Sequence, residues 1–392
     1  MTDWSDLRQA LDQLAADGLL RTRDVFERTG LTTVRVRGRE LINFAANDYL
    51  GLAGSERLRL RAQELMAEVG PGASASPLVS GRSPLQARAE ADLARFEGQA
   101  STLLFPSGYA ANLGVVAALV KPGDLVLCDR FNHACLVDGC RLSGAALRVY
   151  RHDDLDTLRG ALCRAAQGQR VWIVTDSVFS MDGDLAPLAE ICDLAESVDA
   201  RVVVDEAHGT GIYGAHRRGV VEELGVEERV AVRIGTLSKS LGGQGGFVTG
   251  PTVLVDYLYN HARTQMFSTA LSPWLCAVAI AAVEAIIAEP DRSPRVRALA
   301  TRLRTRLRAQ GLTPLGRDDC PIVPLVLKHP ARVMDAGHRL ETAGFLVGTI
   351  RPPTVPRGTA RLRVSLSAAH TDAQIDQLAA VLSDPLTTGE TP

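Results

Sequence analysis

Lysine is scarce in this chain: only Lys121, Lys239 and Lys328 occur among 43 cationic side chains. A positive charge needed only for solubility is arginine here, so a lysine that is present invites a chemical reason. A primary amine can form an imine, which a guanidinium cannot. Long apolar runs are also missing. The longest, Trp274 to Val283, is ended by Glu284, well short of the ~20 residues that cross a bilayer. Ser272 and Pro273 precede it as a cap and first-turn proline, so it reads as a buried helix and no membrane partner is expected. Neither sign of charge dominates: the net charge is -2, which gives no reason to expect a nucleic-acid partner. The seven cysteines are odd in number, scattered and without a CxxC. That argues against a disulfide framework and for reduced thiols in a cytoplasmic setting. His133, Cys135 and Cys140 lie close together but fit no zinc spacing and lack a fourth ligand, so no metal is expected. The start, MTDWSDLRQAL, is acidic with a helical pattern and does not read as a signal peptide.

What is present is a two-part pattern. At 392 residues the chain is too long for one compact core. Leu7, Leu11, Leu14 and Leu19 predict an amphipathic helix over 5–20, followed by a strand pair over 32–44 with Gly38 in its turn. From about 100 onward, apolar runs alternate with helical segments. Ser101–Phe105, Leu125–Cys128, Ala146–Tyr150, Val171–Thr175, Arg201–Val204, Val230–Gly235 and Gly246–Thr249 read as strands of an α/β sheet, mainly parallel, covered on both faces. An Arg-rich helical stretch over 290–315 leads to a smaller α+β lobe with strands Ile322–Leu327, Phe345–Ile350 and Leu362–Leu366. A last helix opens at Thr371 with a capping-box pattern to Gln374, and the tail 385–392 is expected to fray. The expected division is an N-terminal arm, 1–45, a large domain, 46–285, and a C-terminal domain, 286–392.

Polar residues gather just after the strands, where open α/β sheets bind ligands. Ser107-Gly108-Tyr109 follows the first strand and His133 the second. Asp176, Ser177 and Ser180 follow the fourth, Asp205 and His208 the fifth, and Thr236 and Lys239 the sixth. Lys239-Ser240 is not a phosphate loop, because residue 238 is Ser and residue 233 is Arg. Gly209-Thr-Gly211-Ile-Tyr-Gly214 matches GxGxxG, but four residues separate it from its strand and no helix clearly opens inside it, so a glycine-rich turn is the better reading than a nicotinamide site.

The ordered set Asn47-Asp48-Tyr49-Leu50-Gly51, Phe105-Pro-Ser-Gly-Tyr-Ala-Ala-Asn112, Asp176-Ser-Val-Phe-Ser-Met-Asp-Gly-Asp184, Asp205-Glu-Ala-His208 and Thr236-Leu-Ser-Lys239 resembles the α-oxoamine synthase family. These are fold-type I enzymes dependent on pyridoxal 5'-phosphate (PLP). The resemblance implies a seven-stranded large domain and a coenzyme held covalently by Lys239. Asp205 would pair with the pyridine nitrogen, an interaction of roughly 4 kcal/mol at ~4 Å, while His208 would bond the ring hydroxyl and His133 stack on the ring and meet substrate. Backbone amides of Gly108 and Tyr109 would hold the phosphate at a helix start. Ser180 and Thr236 would complete the site, with Thr269 supplied by the neighbouring subunit of a homodimer with shared active sites.

The resemblance also implies that Arg363 clamps the amino-acid carboxylate and that Arg21 and Thr354 touch substrate. Arg351-Pro-Pro-Thr-Val-Pro356 with Gly358-Thr-Ala-Arg-Leu-Arg363 is most similar to the family's biotin-pathway branch, which joins L-alanine to pimeloyl-CoA or pimeloyl-acyl carrier protein. A sister acyltransferase using glycine or serine, and a non-catalytic PLP-binding protein, are the alternatives. One departure stands out: Gln86 occupies a position where the family usually has histidine.

Overall fold

The computed structural model describes residues 2–67 and 69–382; the tail 385–392 lies outside them. In chain order the strands are β1 (Phe26–Arg28), β2 (Thr33–Val36), β3 (Arg39–Phe44), β4 (Ser101–Phe105), β5 (Leu125–Asp129), β6 (Ala146–Tyr150), β7 (Val171–Asp176), β8 (Arg201–Asp205), β9 (Val232–Thr236), β10 (Gly246–Gly250), β11 (Ile322–Lys328), β12 (Phe345–Ile350) and β13 (Ala360–Ser365). The chain divides into two compact units. The larger comprises Asp48–Ser180 and Asp184–Pro294; the smaller comprises residues up to Asn47, Met181–Gly183 and residues from Arg295 onward.

The larger unit is built on a seven-stranded sheet, order β4-β10-β9-β8-β7-β5-β6. β10 runs antiparallel to both neighbours and the other pairs are parallel. Every residue of β5, β7 and β9 is buried. Both faces are covered, which is why β5 and β7 open as apolar runs rather than alternating ones. The helix Gly108–Leu119 packs Ala111, Val115 and Val116 into one core with Val126, Val174, Val203 and Ile234, where each valine or isoleucine is worth about 1.5–3 kcal/mol when fully buried. The apolar helix Pro273–Ala288 begins as expected, with Ser272 Oγ accepting the Leu275 N–H. Among the described residues no single helix is long and apolar enough to cross a membrane. The parallel pairing brings the carboxyl ends of β5, β7, β8 and β9 to one edge, with Asp176 directly opposite Asp205.

The smaller unit has a mixed six-stranded sheet, order β1-β2-β3-β12-β13-β11. Its centre is a pairing that links the two ends of the chain. β3 lies parallel to β12, Ile42 opposite Phe345 and Phe44 opposite Val347. The arm expected as a separate element is thus half of the C-terminal sheet. A lone two-stranded hairpin is marginal in water, and here the β2–β3 pair buries Val34, Val36 and Leu41 instead. The β2–β3 turn places Arg37 and Gly38 at φ 48° and 76°, the left-handed pair a tight hairpin requires. Helix Ser5–Ala16 forms, but Leu7, Leu11 and Leu14 on its apolar stripe are exposed. The last helix, Asp372–Leu382, carries the anticipated capping box: Gln374 N–H donates to Thr371 Oγ1 (3.1 Å) and Thr371 N–H to Gln374 Oε1 (2.9 Å). His370 stacks on Phe44 at 4.1 Å. Its Nδ1 accepts the Ser367 N–H (2.9 Å) and its Nε2 donates to the Asn43 carbonyl (3.2 Å). A neutral ring satisfies both bonds, and burial pushes the imidazole down to about 4.

Candidate active site

The larger unit places Lys239 in a turn just beyond β9, where Gly242 N–H donates to its carbonyl. Its Nζ lies 2.7 Å from His208 Nε2, and His208 Nδ1 lies 2.7 Å from the Tyr49 hydroxyl. An ammonium has only donors, so Nε2 accepts from Lys239 and the ring proton on Nδ1 is donated to Tyr49. His208 and Tyr49 are both buried. A lysine, an imidazole and a phenol thus form one chain of hydrogen bonds along which a proton at Nζ can be handed on.

Beside this chain stand two carboxyls at adjoining strand ends. Asp205 is 4% exposed. It accepts from Asn112 Nδ2 (2.8 Å) and from the Ala207 N–H (2.7 Å), both neutral donors. A carboxylate this deep is costly unless a charge answers it, and a protonated pyridine nitrogen is such a charge. Asn112 Oδ1 is buried without a partner. Asp176 accepts the His133 N–H (2.7 Å). Burial, and then the Asp205 charge, push Asp176 well above the usual carboxylate range. His133 caps helix Ala134–Leu142, and its Nδ1 accepts the Cys135 N–H (3.3 Å). That fixes the ring hydrogen of the neutral form on Nε2.

Helix Gly108–Leu119 starts where a phosphate would be held. Ser107 Oγ takes the Ala110 N–H (3.1 Å), leaving the first-turn N–H groups of Gly108 and Tyr109 without intrahelical acceptors. Close packing demands glycine here: a Cβ on Gly108 would stand 3.0 Å from Thr236 Oγ1, and one on Gly246 2.4 Å from the Ser107 carbonyl. Thr236 donates from Oγ1 to the Gly245 carbonyl (2.9 Å), which shapes the approach to Lys239. These residues fit PLP: a cradle of amides for its phosphate, an acid for its ring nitrogen and a lysine for its aldehyde. Ser180 sits in the segment after β7, half-buried, and Thr269 is exposed beyond helix Arg263–Met266. Gln86, the departure from the family pattern, is buried and donates to Glu90 Oε1 (3.1 Å), whose carboxylate also binds Arg82. It serves a packed polar network.

The smaller unit holds the expected substrate residues. Arg363, buried in β13, donates from Nη1 to Asn47 Oδ1 (3.0 Å) and Ser365 Oγ (2.8 Å). Arg21 reaches Thr354 Oγ1 at 3.4 Å. Arg21 lines a cavity of about 590 Å³ together with Asn43, His338, Glu341 and Arg351 among others. Arg351 is buried, donates from Nη2 to the Leu20 carbonyl (2.8 Å) and has no partner at Nε. Burial and the neighbouring Arg21 charge push its guanidinium below the ordinary value. Neither Arg21 nor Arg351 has a carboxylate partner among the described residues.

Sequence reasoning left Tyr49, Asn112 and Arg351 without specific roles, although all three lie in the quoted motifs. Their significance comes from partners 159, 93 and 331 positions away in the chain. Comparison with known proteins agrees with this geometry. Residues 39–382 match the family described as aminotransferase class I and II. The chain is 45% identical to the 8-amino-7-oxononanoate synthase of Anaeromyxobacter dehalogenans over 386 residues, 97% of this chain and 96% of that one. It is similar in structure to Sphingomonas wittichii serine palmitoyltransferase (TM-score 0.93, 30% identity, covering 99% and 98% of the two chains). It is also similar to Francisella tularensis 8-amino-7-oxononanoate synthase (TM-score 0.75, 26% identity, 88% and 97%). The chain belongs to the class I and II aminotransferase family of fold-type I PLP enzymes and, within it, to the α-oxoamine synthases.

Proposed function

We propose that this protein condenses L-alanine with a pimeloyl thioester, carried by CoA or an acyl carrier protein. The products are 8-amino-7-oxononanoate, carbon dioxide and the free thiol, a step of biotin biosynthesis. The observation that carries the reading is the buried Asp205, bonded only to neutral donors, beside the Lys239–His208 pair. Bound PLP supplies an electron sink for the pair left at the amino acid's α-carbon. The Lys239 amine takes the α-proton, and His208 at 2.7 Å accepts a hydrogen bond from the ammonium so formed. Asp205 keeps a negative charge at the ring nitrogen, Gly108 and Tyr109 hold the phosphate, and Ser180 and Thr236 complete the coenzyme site. His133 would stack on the coenzyme ring and meet substrate, with its neutral-form ring hydrogen on Nε2. Arg363 offers the planar pair of donors that suits a carboxylate.

The acyl substrate ends in a second carboxylate. Arg21 and Arg351, two guanidiniums at one cavity without a bonded acid, support a role in receiving it, with Thr354 beside Arg21. The exposed Val79, Phe131 and Phe267 support a homodimer to which Thr269 is contributed across the interface. Seven free thiols support a cytoplasmic location. The test is the purified protein with alanine and pimeloyl-CoA or the acyl carrier form: thiol and carbon dioxide should appear in equal amounts. The likeness to serine palmitoyltransferase favours one second reading, a sister enzyme using serine or glycine, such as a 2-amino-3-oxobutyrate CoA ligase. Faster product formation with serine or glycine than with alanine would select it. Coenzyme binding without turnover of any amino acid would mean a binding protein.

A further inference from the structure

His152 follows β6, outside every motif read above, yet both of its ring nitrogens meet carboxylates. Its Nδ1 lies 3.1 Å from both oxygens of Asp129, at the end of β5, and its Nε2 lies 2.6 Å from Asp184 Oδ2, in the segment after β7. The ring is stacked on Phe131 (4.7 Å) and edge-on to Phe179 (4.3 Å). A neutral imidazole has one N–H and would turn a lone pair toward one of the carboxylates. Only the doubly protonated ring donates to both. Asp153, on its own turn, also brings a carboxylate oxygen within 4.8 Å of a His152 ring nitrogen and an Asp184 oxygen. Burial alone would disfavour the cation, but the hydrogen bonds and charges of Asp129 and Asp184 outweigh it, raising the imidazole to about 10.

Each carboxylate it holds leads to a residue of the coenzyme site. Asp129 Oδ1 also accepts the Phe131 N–H (2.7 Å), and its carbonyl accepts the Asn132 N–H (3.2 Å), so Asp129 shapes the three residues that end in His133. Asn132 and His133 then reach β7 through the Val174 carbonyl and Asp176. On the other side, Asp184 accepts the Phe179 N–H through its carbonyl (3.0 Å), and a Val178–Leu185 bridge closes the same segment around Ser180. The second oxygen of Asp184 is buried without a partner, so among the described residues His152 is the only group bonded to that carboxylate.

We propose that His152 is a positioning residue, a doubly donating imidazolium that ties the loop carrying His133 to the segment carrying Ser180 and so fixes where these two residues stand for the coenzyme. The inference rests on the coenzyme reading above. Both ring nitrogens are engaged by acids, Asp129 on one side and Asp184 on the other, which is the geometry of a tether.

The test uses the holoenzyme. His152→Phe keeps a ring between Phe131 and Phe179 but has no N–H, and Asp184→Asn keeps the shape while removing one charge. Both should weaken PLP binding by about tenfold, the loss of one or two charge-assisted hydrogen bonds, and reduce the visible circular dichroism of the bound coenzyme. His152→Gln, which can donate to one acid, should recover part of the signal. The histidine ring resonances of the parent protein should include one still doubly protonated at pH 9, and Asp184→Asn should shift it. Parental PLP affinity and circular dichroism in folded His152→Phe would overturn the proposal, as would a lowered melting temperature with an unchanged coenzyme signal. If His152→Phe does not fold, the Asp184→Asn arm and the parent's ring resonance decide alone. Failure of the parent to bind PLP at all would instead strike the coenzyme reading.

Discussion

The two units differ in the kind of charge they present. The larger offers side chains of kinds that can gain or lose a proton: Lys239, His208, Tyr49, His133 and Asp176. The smaller offers guanidiniums, Arg21, Arg351 and Arg363, that stay charged throughout. The contrast separates two tasks. Moving a proton needs groups whose protonation can change, whereas holding a carboxylate needs a cation that never lets go. Substitutions in the larger unit should therefore act on kcat and the pH profile, and those in the smaller on KM with the profile unmoved.

The largest effect tests the first half. Lys239→Ala should lower kcat/KM on the order of 10⁴-fold, and borohydride should no longer fix the coenzyme to the chain. Retention of parental turnover would end the contrast. Next comes a group that breaks the rule inside the smaller unit, because His370 does titrate. Its imidazole sits near 4 in the fold and near 6.5 when unfolded. The unfolded chain takes the proton first, so stability is full above about pH 6.5 and is lost as pH falls toward 4, by about 3 kcal/mol in all. Urea unfolding of parent and His370→Gln between pH 7 and 4.5 should show the gap between them shrinking. His152 has the opposite sign: its contribution is full below about pH 6.5 and lost as pH rises through about 10.

Arg363→Ala should raise the KM for alanine about 10²-fold, with Arg363→Lys intermediate because an ammonium lacks the planar pair of donors. A displaced pH optimum in either variant would blur the division of labour. The smallest effect is expected at the acyl end. Arg351→Gln should raise the KM for the pimeloyl thioester about tenfold and leave alanine binding alone. An equal loss with a monocarboxylic acyl thioester of similar length would show that no second carboxylate is being read.

Much of the larger unit was legible because its central strands are buried on both faces and most of its strands are separated by helices, so local apolar runs mark them within a residue or two. Lys239 stood out through rarity, and Asp205 and His208 through their place at a strand end. The smaller unit was harder. Nothing in Arg39–Phe44 says that its partner is Phe345–Ile350, since an alternating strand advertises a face and not a neighbour. β1 was missed because Phe26, Glu27 and Arg28 are all exposed and carry no buried alternation. The apolar stripe of helix Ser5–Ala16 was legible, but its exposure was not. Tyr49 and His152 escaped assignment for a common reason: a hydrogen bond between distant segments has no local signature.

The β3–β12 pairing carries a consequence for how the protein is made. Ile42 meets Phe345, so on the ribosome the first strand of that pair waits for roughly 300 further residues, some 15–60 s at ordinary elongation rates. During that interval nearly all of Asp48–Pro294 has emerged and can condense around its own sheet. Arg39–Phe44 stays without this partner strand until Phe345–Ile350 has been made, so its unpaired edge is a surface for a chaperone to shield.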